Sequence, residues 1–295
     1  MNHNVDKRMK LSERVGWKRK FAAYLHILLD ALRKFDQDHG FFLSSGITFN
    51  LLICLIPIVL LFFALVGTYL YSDQEVLNHI RQYFENSFPS LDPRIMKNIL
   101  RIIQDRKIVG ILGIGGLIWT STWVFSSLRT ALNMVFEVKK GRNIIRGKVI
   151  DLFMILLAGI FLLLSMVFTS LVTVIPKYHF RSFPEMSVIF RFILKYPIPF
   201  LFTFWMFFLI YKIIPNKKIH FKTALQASFF TSLLWEIAKQ IFAWYVLHIG
   251  RFSMIYGSLS TLAIFFLWIY YSSAVLILGG EVASLMERER AKVAN

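Results

Sequence analysis

The sequence predicts an all-α polytopic membrane protein with six transmembrane helices, and two observations carry this prediction. The first is six long apolar runs, each about long enough to cross a ~30 Å hydrocarbon core. In lipid every backbone polar group must be satisfied within its own segment, so runs of this length are helices. The second is that the loops between the runs alternate between strongly and weakly basic. The runs are residues 47–71, 108–128, 149–175, 197–214, 224–248 and 259–284.

The distribution of basic residues predicts how the chain is oriented. The net charge is +17, with 34 Lys and Arg residues. Of these, 21 lie in the N-terminal segment, the second and fourth loops and the C-terminal tail, against 11 in the other three loops. The positive-inside rule then places both termini in the cytoplasm of a bacterial cell, on the inner face of its cytoplasmic membrane. The basic excess is thus explained by topology and by anionic lipid headgroups as partners, and no nucleic-acid partner is expected.

The composition excludes most enzyme classes. Hydrophobic residues make up 56% of the 295 residues, and mean hydropathy is +0.57. No two of the seven histidines lie within five residues of each other, so no metal-binding His pair is present, and neither a GxSxG nor a Walker loop occurs. Cys54 is the one cysteine and reads as a packing residue inside the first run. We expect no enzymatic activity, no metal and no cofactor.

The predicted domain organisation has three parts. Residues 1–40 form a basic cytoplasmic segment, residues 41–285 form the membrane domain, and residues 286–295 form a cytoplasmic tail. Residues 72–107 are expected to form a helical cap on the outer face, divided by two prolines. The first segment holds an amphipathic helix, which either lies on the membrane surface or packs against the inner end of the bundle. Its apolar residues are Phe21, Leu25, Leu28, Leu29 and Leu32.

Proline and glycine mark two places in the predicted helices. Pro57 lies in the middle of the first run and is expected to kink the helix, either to line a cavity or for packing. The second run begins with several glycines between Gly110 and Gly116. Glycine lets helix backbones approach closely, so we expect this stretch to pack against another helix.

A polar row in the fifth run is the strongest local signal for a site. Ser228, Ser232, Glu236 and Gln240 recur every four residues, and Lys239 lies three residues after Glu236. Helical spacing puts them on one face. Charges near the middle of a membrane each cost about 2.5–3.5 kcal/mol on insertion scales, so Glu236 and Lys239 should face the bundle and pair. An ion pair that locks helices together and the polar wall of a substrate path are equally consistent with this pattern.

Further candidates for a substrate path lie nearer the ends of the runs. Asn50 is a polar group inside the first run and needs a partner, and Arg251 lies in the last outer loop. Arg129, at the end of the second run, can pair with Asp151 or Glu281, or serve as a topology charge. Glu281 follows two glycines near the inner end of the sixth run, where an interfacial position would make its charge inexpensive.

Several motifs, in order along the chain, resemble the YihY/BrkB family of inner-membrane proteins, formerly labelled ribonuclease BN. They are Ser45-Gly46-Ile47-Thr48-Phe49 through Pro57, Ser126-Ser127-Leu128-Arg129-Thr130-Ala131-Leu132-Asn133, Ile214-Pro215-Asn216, Leu234-Trp235-Glu236-Ile237-Ala238-Lys239, and Tyr256-Gly257-Ser258-Leu259 through Gly279-Gly280-Glu281. Asn50 and Cys54 depart from the family pattern. The resemblance implies a six-span helical membrane protein, for which transport of lipids or other amphiphiles is the usual suggestion.

Three functions remain open from the sequence. We expect transport or flipping of an amphiphilic or anionic substrate, through a cavity lined by Asn50, Glu236, Lys239 and Gln240. The alternative is a structural or scaffold protein, and a membrane-linked ribonuclease is a third reading that the missing metal ligands argue against. The oligomeric state does not follow from these patterns.

The charge distribution makes a testable prediction of topology. A cysteine placed at Ser90, in a Cys54→Ala background, should react with a membrane-impermeant maleimide added from outside the cytoplasmic membrane, because residues 72–107 are predicted to lie there. The same cysteine should be protected in inside-out vesicles. Labelling of Ser90→Cys from the cytoplasmic side would reverse the predicted orientation.

Overall fold

The computed structural model describes residues 26–70, 105–138, 197–249 and 258–294, together with six residues between 147 and 157. Within these ranges the regular elements are helices and no strand occurs, which confirms the all-α prediction. Of the predicted third span, residues 149–175, the structure describes only residues 149, 150, 153, 154 and 157, and of the outer cap only residues 105–107.

Six helices run through the four continuous ranges of described residues. They are α1 (residues 26–37), α2 (Gly40–Leu70), α3 (Arg106–Val135), α4 (Pro197–Ile213), α5 (Phe221–Ile249) and α6 (Ser258–Ala294). The segments Gly40–Leu65, Arg106–Val135 and Leu262–Lys292 are long and apolar enough to cross a membrane, and α4 is a shorter apolar helix. Between 17% and 28% of the most apolar stretch of each long segment is buried, so most of their surface is left to face lipid or other proteins.

A tight turn joins α1 to α2. His39 has a φ of 53°, in the left-handed region that histidine enters more readily than most residues. The backbone N–H of His39 donates to the carbonyl of Asp36 at 3.1 Å. A Cβ at Gly40 would collide with the Phe35 ring, so glycine is needed where the chain turns back. This turn holds α1 against the start of the first membrane helix.

The glycines of α3 pack against another helix, as the sequence predicts, and that helix is α2. Cβ atoms built on Gly110 and Gly116 would lie 3.6 Å from Ala64 and 3.3 Å from Pro57. Gly113 is tighter, because a Cβ there would lie 2.9 Å from Leu61. The missing side chains let the two backbones approach, and α2 with α3 forms the most extensive helix pair. Helix α2 continues unbroken through Pro57, whose ring is buried in this contact.

Helix α6 contacts α2, α3, α4 and α5 and lies at the centre of the described bundle. Its closest approach is at Gly279, where a Cβ would collide with the Thr231 hydroxyl of α5 and the Tyr211 hydroxyl of α4. The Tyr211 hydroxyl is 3.1 Å from that of Thr231 and donates to the carbonyl of Leu276 at 2.8 Å. Two buried hydroxyls are therefore satisfied only because α6 carries glycine here.

The buried face of α1 differs from the predicted one. Ile27, Ala31 and Phe35 are buried, whereas Leu29 and Leu32 are each 47% exposed. The helix therefore packs against the bundle, the second of the two placements that the sequence left open. Of the predicted apolar stripe, Leu29 and Leu32 do not pack against the bundle, Leu28 is partly buried, and Phe21 and Leu25 lie outside the described residues. Residues 27, 31 and 35 recur every four positions, and this stripe also carries Lys34, which is buried.

The C-terminal residues extend α6. The helix continues to Ala294, well past the predicted end of the sixth span at residue 284. Residues 286–294 are thus a continuation of the last membrane helix. This extension places Glu287, Arg288 and Arg290 beside residues that precede or begin α5, or follow α3.

The close contact at Gly279 predicts an asymmetric effect of two alanine substitutions. Gly279→Ala should destabilise the protein by about 1–3 kcal/mol, because the new methyl group forces apart the Tyr211 and Thr231 hydroxyls. Gly115→Ala is the matched control, since a Cβ there meets nothing within 4 Å. It should be neutral, or stabilising by about 0.5–1 kcal/mol, because alanine is the better helix former. Thermal unfolding of both purified variants in detergent measures the difference. Equal melting temperatures would contradict the packing described here.

Candidate functional site

The residues of the polar row of α5 differ in their burial. Ser228 and Ser232 are fully buried, Glu236 and Lys239 are partly exposed, and Gln240 is exposed. A step of four residues turns about 400° around a helix, so each step rotates the row by about 40°. From Ser228 to Gln240 the row therefore turns by about 120°, which carries it from the core to the surface. The expectation of a single inward face was wrong for this geometric reason.

Glu236 and Lys239 form an ion pair within α5. The Lys239 Nζ donates to Glu236 Oε1 at 2.6 Å. The side chain of Lys239 is 35% exposed and that of Glu236 is 30% exposed. Because both residues belong to one helix, this bond does not itself tie α5 to a neighbour. This contact therefore does not support the hypothesis that the ion pair locks two helices together.

Asn50 lies at a different cavity from the α5 row. Its Nδ2 donates to the Gly46 carbonyl one turn earlier, at 3.0 Å. It lines a cavity of about 390 Å³ between α2 and α3, together with Trp123, Ser127 and other residues of those two helices. The described lining of that cavity includes no residue of α5. The expected joint lining by Asn50 and the α5 row is thus not what the structure shows.

A larger cavity lies between α1, α4, α5 and α6. It has a volume of about 780 Å³ and is lined by Ile27 and Leu28 of α1, Phe204 of α4, and Val282 and Met286 of α6. Helix α5 contributes Leu225, Gln226, Phe229, Phe230 and Leu233. Gln226 is the one polar residue among the described residues that line it. The cavity is therefore an almost wholly apolar space within the half of the bundle predicted to be cytoplasmic.

Glu281 is the most deeply buried charged residue of the described chain, with 0% exposure. Its Oε2 accepts from Lys34 Nζ at 2.6 Å, and the same ammonium donates to Asp38 Oδ2 at 2.5 Å. We expected an interfacial position to keep the charge of Glu281 in contact with water, but α1 covers the residue and its side chain is buried. This bond joins α1 to α6 across 247 residues of sequence.

The end of α3 completes this polar cluster. Glu137 has a φ of 51° and closes the helix with backbone bonds from Glu137 to Met134 and from Val138 to Asn133, the pattern of a Schellman motif. The Val135 carbonyl, left over at the helix end, accepts from Lys34 Nζ at 2.9 Å and from Ser284 Oγ at 2.8 Å. A cation at a helix C-terminus also complements the helix dipole. Lys34 therefore contacts α3 and α6 at once.

The remaining candidates fall outside this cluster. Arg129 was expected to pair with Asp151 or Glu281, or to serve as a topology charge. Its Nη2 donates to the Gly147 carbonyl at 3.0 Å, and the ion-pair partner of Glu281 is Lys34. Asp151 and Arg251 lie outside the described residues. Ser232 Oγ is buried and has no hydrogen-bond partner among the residues that the structure describes.

Sequence reasoning missed Lys34, Asp38 and a second group at the same end of the bundle. His220 Nδ1 and Glu287 Oε1 are 2.5 Å apart, Arg290 donates to Thr223 at 3.3 Å, and Arg288 pairs with Glu137. Lys34 carried a usable signal, since it belongs to the stripe of residues 27, 31 and 35 and has Asp38 one turn later. In the described ranges no group of His, Cys, Asp and Glu is arranged to hold a metal ion.

Comparison with known proteins identifies the family. A membrane protein of Glaesserella parasuis, named UPF0761 membrane protein, is 30% identical over 204 residues, which are 69% of this chain and 71% of that relative. A UPF0761 membrane protein of Haemophilus influenzae is 25% identical over 86% of this chain and 93% of that relative. One from Pseudoalteromonas atlantica is 27% identical over 85% of this chain and 83% of that relative. No solved structure matches the chain.

The family model described as Virulence factor BrkB matches residues 31–295, a stretch that contains both Lys34 and Glu281. The relatives are membrane proteins by name, and the described helices have the length and composition of membrane spans. The chain is therefore a membrane protein that belongs to the BrkB family.

Proposed function

We propose that this protein moves an amphiphilic, lipid-like molecule across the bacterial cytoplasmic membrane, with both of its termini in the cytoplasm. The observation that carries the proposal is the 780 Å³ apolar cavity between α1, α4, α5 and α6. Its volume is in the range of ligand sites, roughly 300–1,000 Å³. An apolar lining favours a hydrocarbon chain and disfavours a polar solute, which would lose its hydrogen bonds to water on entry.

Basic residues lie where the headgroup of such a molecule would sit. Lys222 is exposed and lies one helical turn before Gln226 of the cavity lining. Arg290 is partly exposed and lies one turn beyond Met286. Both positions are on the side of the cavity that the charge distribution predicts to be cytoplasmic. This arrangement favours an amphiphile with an anionic headgroup.

The polar row of α5 continues the cavity toward the other side of the membrane. The α5 residues that line the cavity end at Leu233, and helical spacing places Glu236 and Gln240 next on this face. The Glu236–Lys239 pair is partly exposed and can exchange its partners with a passing headgroup. In this proposal the acyl chain occupies the cavity while the headgroup passes along Glu236, Lys239 and Gln240.

A scaffold function is the second candidate, and the buried Lys34–Glu281 bond favours it. A scaffold would need α1 held firmly against α6, which this bond does. We propose no enzymatic activity and no nucleic-acid partner for the chain. The two candidates differ in whether purified protein moves lipid by itself.

Filling the cavity should abolish transport. Protein reconstituted into vesicles of zwitterionic and anionic phospholipids should accelerate the movement of a fluorescent anionic phospholipid between leaflets. Leu233→Trp should lower that rate strongly, because the indole occupies cavity volume. Leu267→Trp is the matched control, since Leu233 and Leu267 are 49% and 45% exposed and Leu267 does not line the cavity. Wild-type protein that moves no lipid, or equal rates for both variants, would favour the scaffold.

The ion pair of α5 gives a second test of the path. Exposed pairs contribute at most about 1 kcal/mol, so the double variant Glu236→Gln with Lys239→Met should fold and reach the membrane at normal abundance. We expect its lipid transport to fall, because the charges that would replace the water around a headgroup are gone. The vesicle rate and membrane abundance are measured together. Normal transport by the folded double variant would remove the pair from the path.

A further inference from the structure

The buried cluster around Lys34 carries an excess negative charge. The Lys34 ammonium has three hydrogens, and it has three acceptors in Asp38 Oδ2, Glu281 Oε2 and the Val135 carbonyl. Two carboxylates and one ammonium leave a net charge of −1 when all three groups are ionised. Lys34 and Glu281 are buried, with side chains 8% and 0% exposed. A buried net charge is costly, so the cluster favours binding one positive charge.

The second oxygen of Glu281 is the place where that charge is missing. Oε1 is buried and has no hydrogen-bond partner among the described residues. Lys34 cannot serve it, because its three hydrogens are already used. An ionised carboxylate with one unpartnered buried oxygen loses the full solvation of that oxygen. A proton on Oε1 would bring the cluster to zero net charge.

The neighbouring groups of the other elements do not supply this charge. From α1 and the turn that follows it, the charged groups that act on Glu281 are Lys34 and Asp38. Ser284 of α6 already donates to the Val135 carbonyl at the end of α3. Tyr211 of α4 donates to the Leu276 carbonyl and contacts Thr231 of α5.

Charges just outside the cluster are also engaged. Glu137, which follows α3, pairs with Arg288 of α6. Glu287, also of α6, is bonded to His220, which lies in the segment before α5. Within the described part of the chain, the excess charge therefore stays with Glu281.

We propose that Glu281 is a proton-binding site, which protons reach from the cytoplasm through Asp38. Protonation of Glu281 controls how α1 closes the apolar cavity. Asp38 is 25% exposed and is bonded to the same ammonium as Glu281, so the cluster extends from water to the buried carboxylate. One proton taken from cytoplasmic water binds Glu281, and the net charge of the cluster changes from −1 to zero. No covalent bond other than this O–H bond is formed or broken.

Protonation would weaken the attachment of α1 to α6. A neutral Glu281 loses its ionic attraction for Lys34, while Lys34 keeps Asp38, in the turn that follows α1, and the Val135 carbonyl. Ile27 and Leu28 of α1 lie about two turns before Lys34 and line the cavity. Val282, next to Glu281, also lines it and packs in one hydrophobic cluster with Ile27. The proton site thus acts on the wall of the cavity. This consequence rests on the proposed transport function, but proton binding does not.

Infrared spectroscopy of the full-length protein in vesicles tests the proton site directly. As the pH falls from about 9 to about 5, the carbonyl band of a buried, protonated carboxylic acid should grow in, shielded from rapid exchange with deuterated water. Glu281→Gln should remove this band. Glu236→Gln is the matched control and should keep it, since Glu236 is partly exposed. A wild-type spectrum without the band, or a band that persists in Glu281→Gln, would overturn the proposal.

Cysteine labelling tests the movement of α1. In a Cys54→Ala background, Leu28→Cys should be labelled by a maleimide several-fold faster at low pH than at high pH, relative to Leu29→Cys. Leu29 is on the same helix and already 47% exposed, so it corrects for the reactivity of the thiol itself. Glu281→Gln, which mimics the protonated residue, should give fast relative labelling at every pH. An unchanged pH profile in Glu281→Gln would overturn the link to α1.

Two further measurements separate the possible failures. Should Glu281→Gln not fold, the double variant Lys34→Met with Glu281→Gln removes both charges and serves in its place, because deleting a whole buried pair can be nearly neutral. A relative labelling rate that changes with Na⁺ concentration at constant pH would indicate that the site binds a metal cation rather than a proton, and would overturn the assignment. An intact Glu281 band in protein that moves no lipid would contradict the proposed transport alone.

Discussion

The described fold depends on one ammonium group, that of Lys34. It is buried at the place where α1, the end of α3 and α6 meet. Its three hydrogens bind one acceptor from α3, one from α6 and one from Asp38 in the turn after α1. Removing either Lys34 or Glu281 would leave the other buried without its main partner, at a cost of about 3–5 kcal/mol. The Lys34 ammonium therefore holds α1 against α6 and the end of α3, and α1 contributes Ile27 and Leu28 to the cavity lining.

Small residues provide the second constraint, because they decide how closely the helices approach. Glycines of α3 let it lie against α2, and Gly279 of α6 admits the hydroxyls of Tyr211 and Thr231. In lipid no hydrophobic force drives helices together, so close packing and hydrogen bonds must do so. The central position of α6 follows from this, and with it the burial of Glu281, two residues after Gly279. Packing and charge are thus coupled along one short segment.

The apolar cavity and the polar groups have a consistent order along α5. The cavity lining runs from Leu225 to Leu233, basic residues precede it, and Glu236 follows it. An amphiphile has the same order of apolar and polar parts, which is why we favour transport over a scaffold. The Lys34–Glu281 bond serves both functions in different ways. A scaffold needs it to stay closed, whereas a transporter needs a means to release it, and a proton on Glu281 provides that means.

The sequence by itself determined the fold class, the family and the close packing of the glycine-rich start of α3, but not that its partner is α2. Apolar length and glycine spacing are local properties that lipid turns directly into helices and helix contacts. It also located Glu236, Lys239 and Glu281 as residues of interest, but not their surroundings. The row of α5 turned out to the surface because four-residue steps drift around a helix. Asn50 lined a separate cavity because its helix packs against α3, which the local pattern did not specify. Only the tertiary structure showed that Lys34 meets Glu281, since the two residues are 247 positions apart and no local pattern relates them.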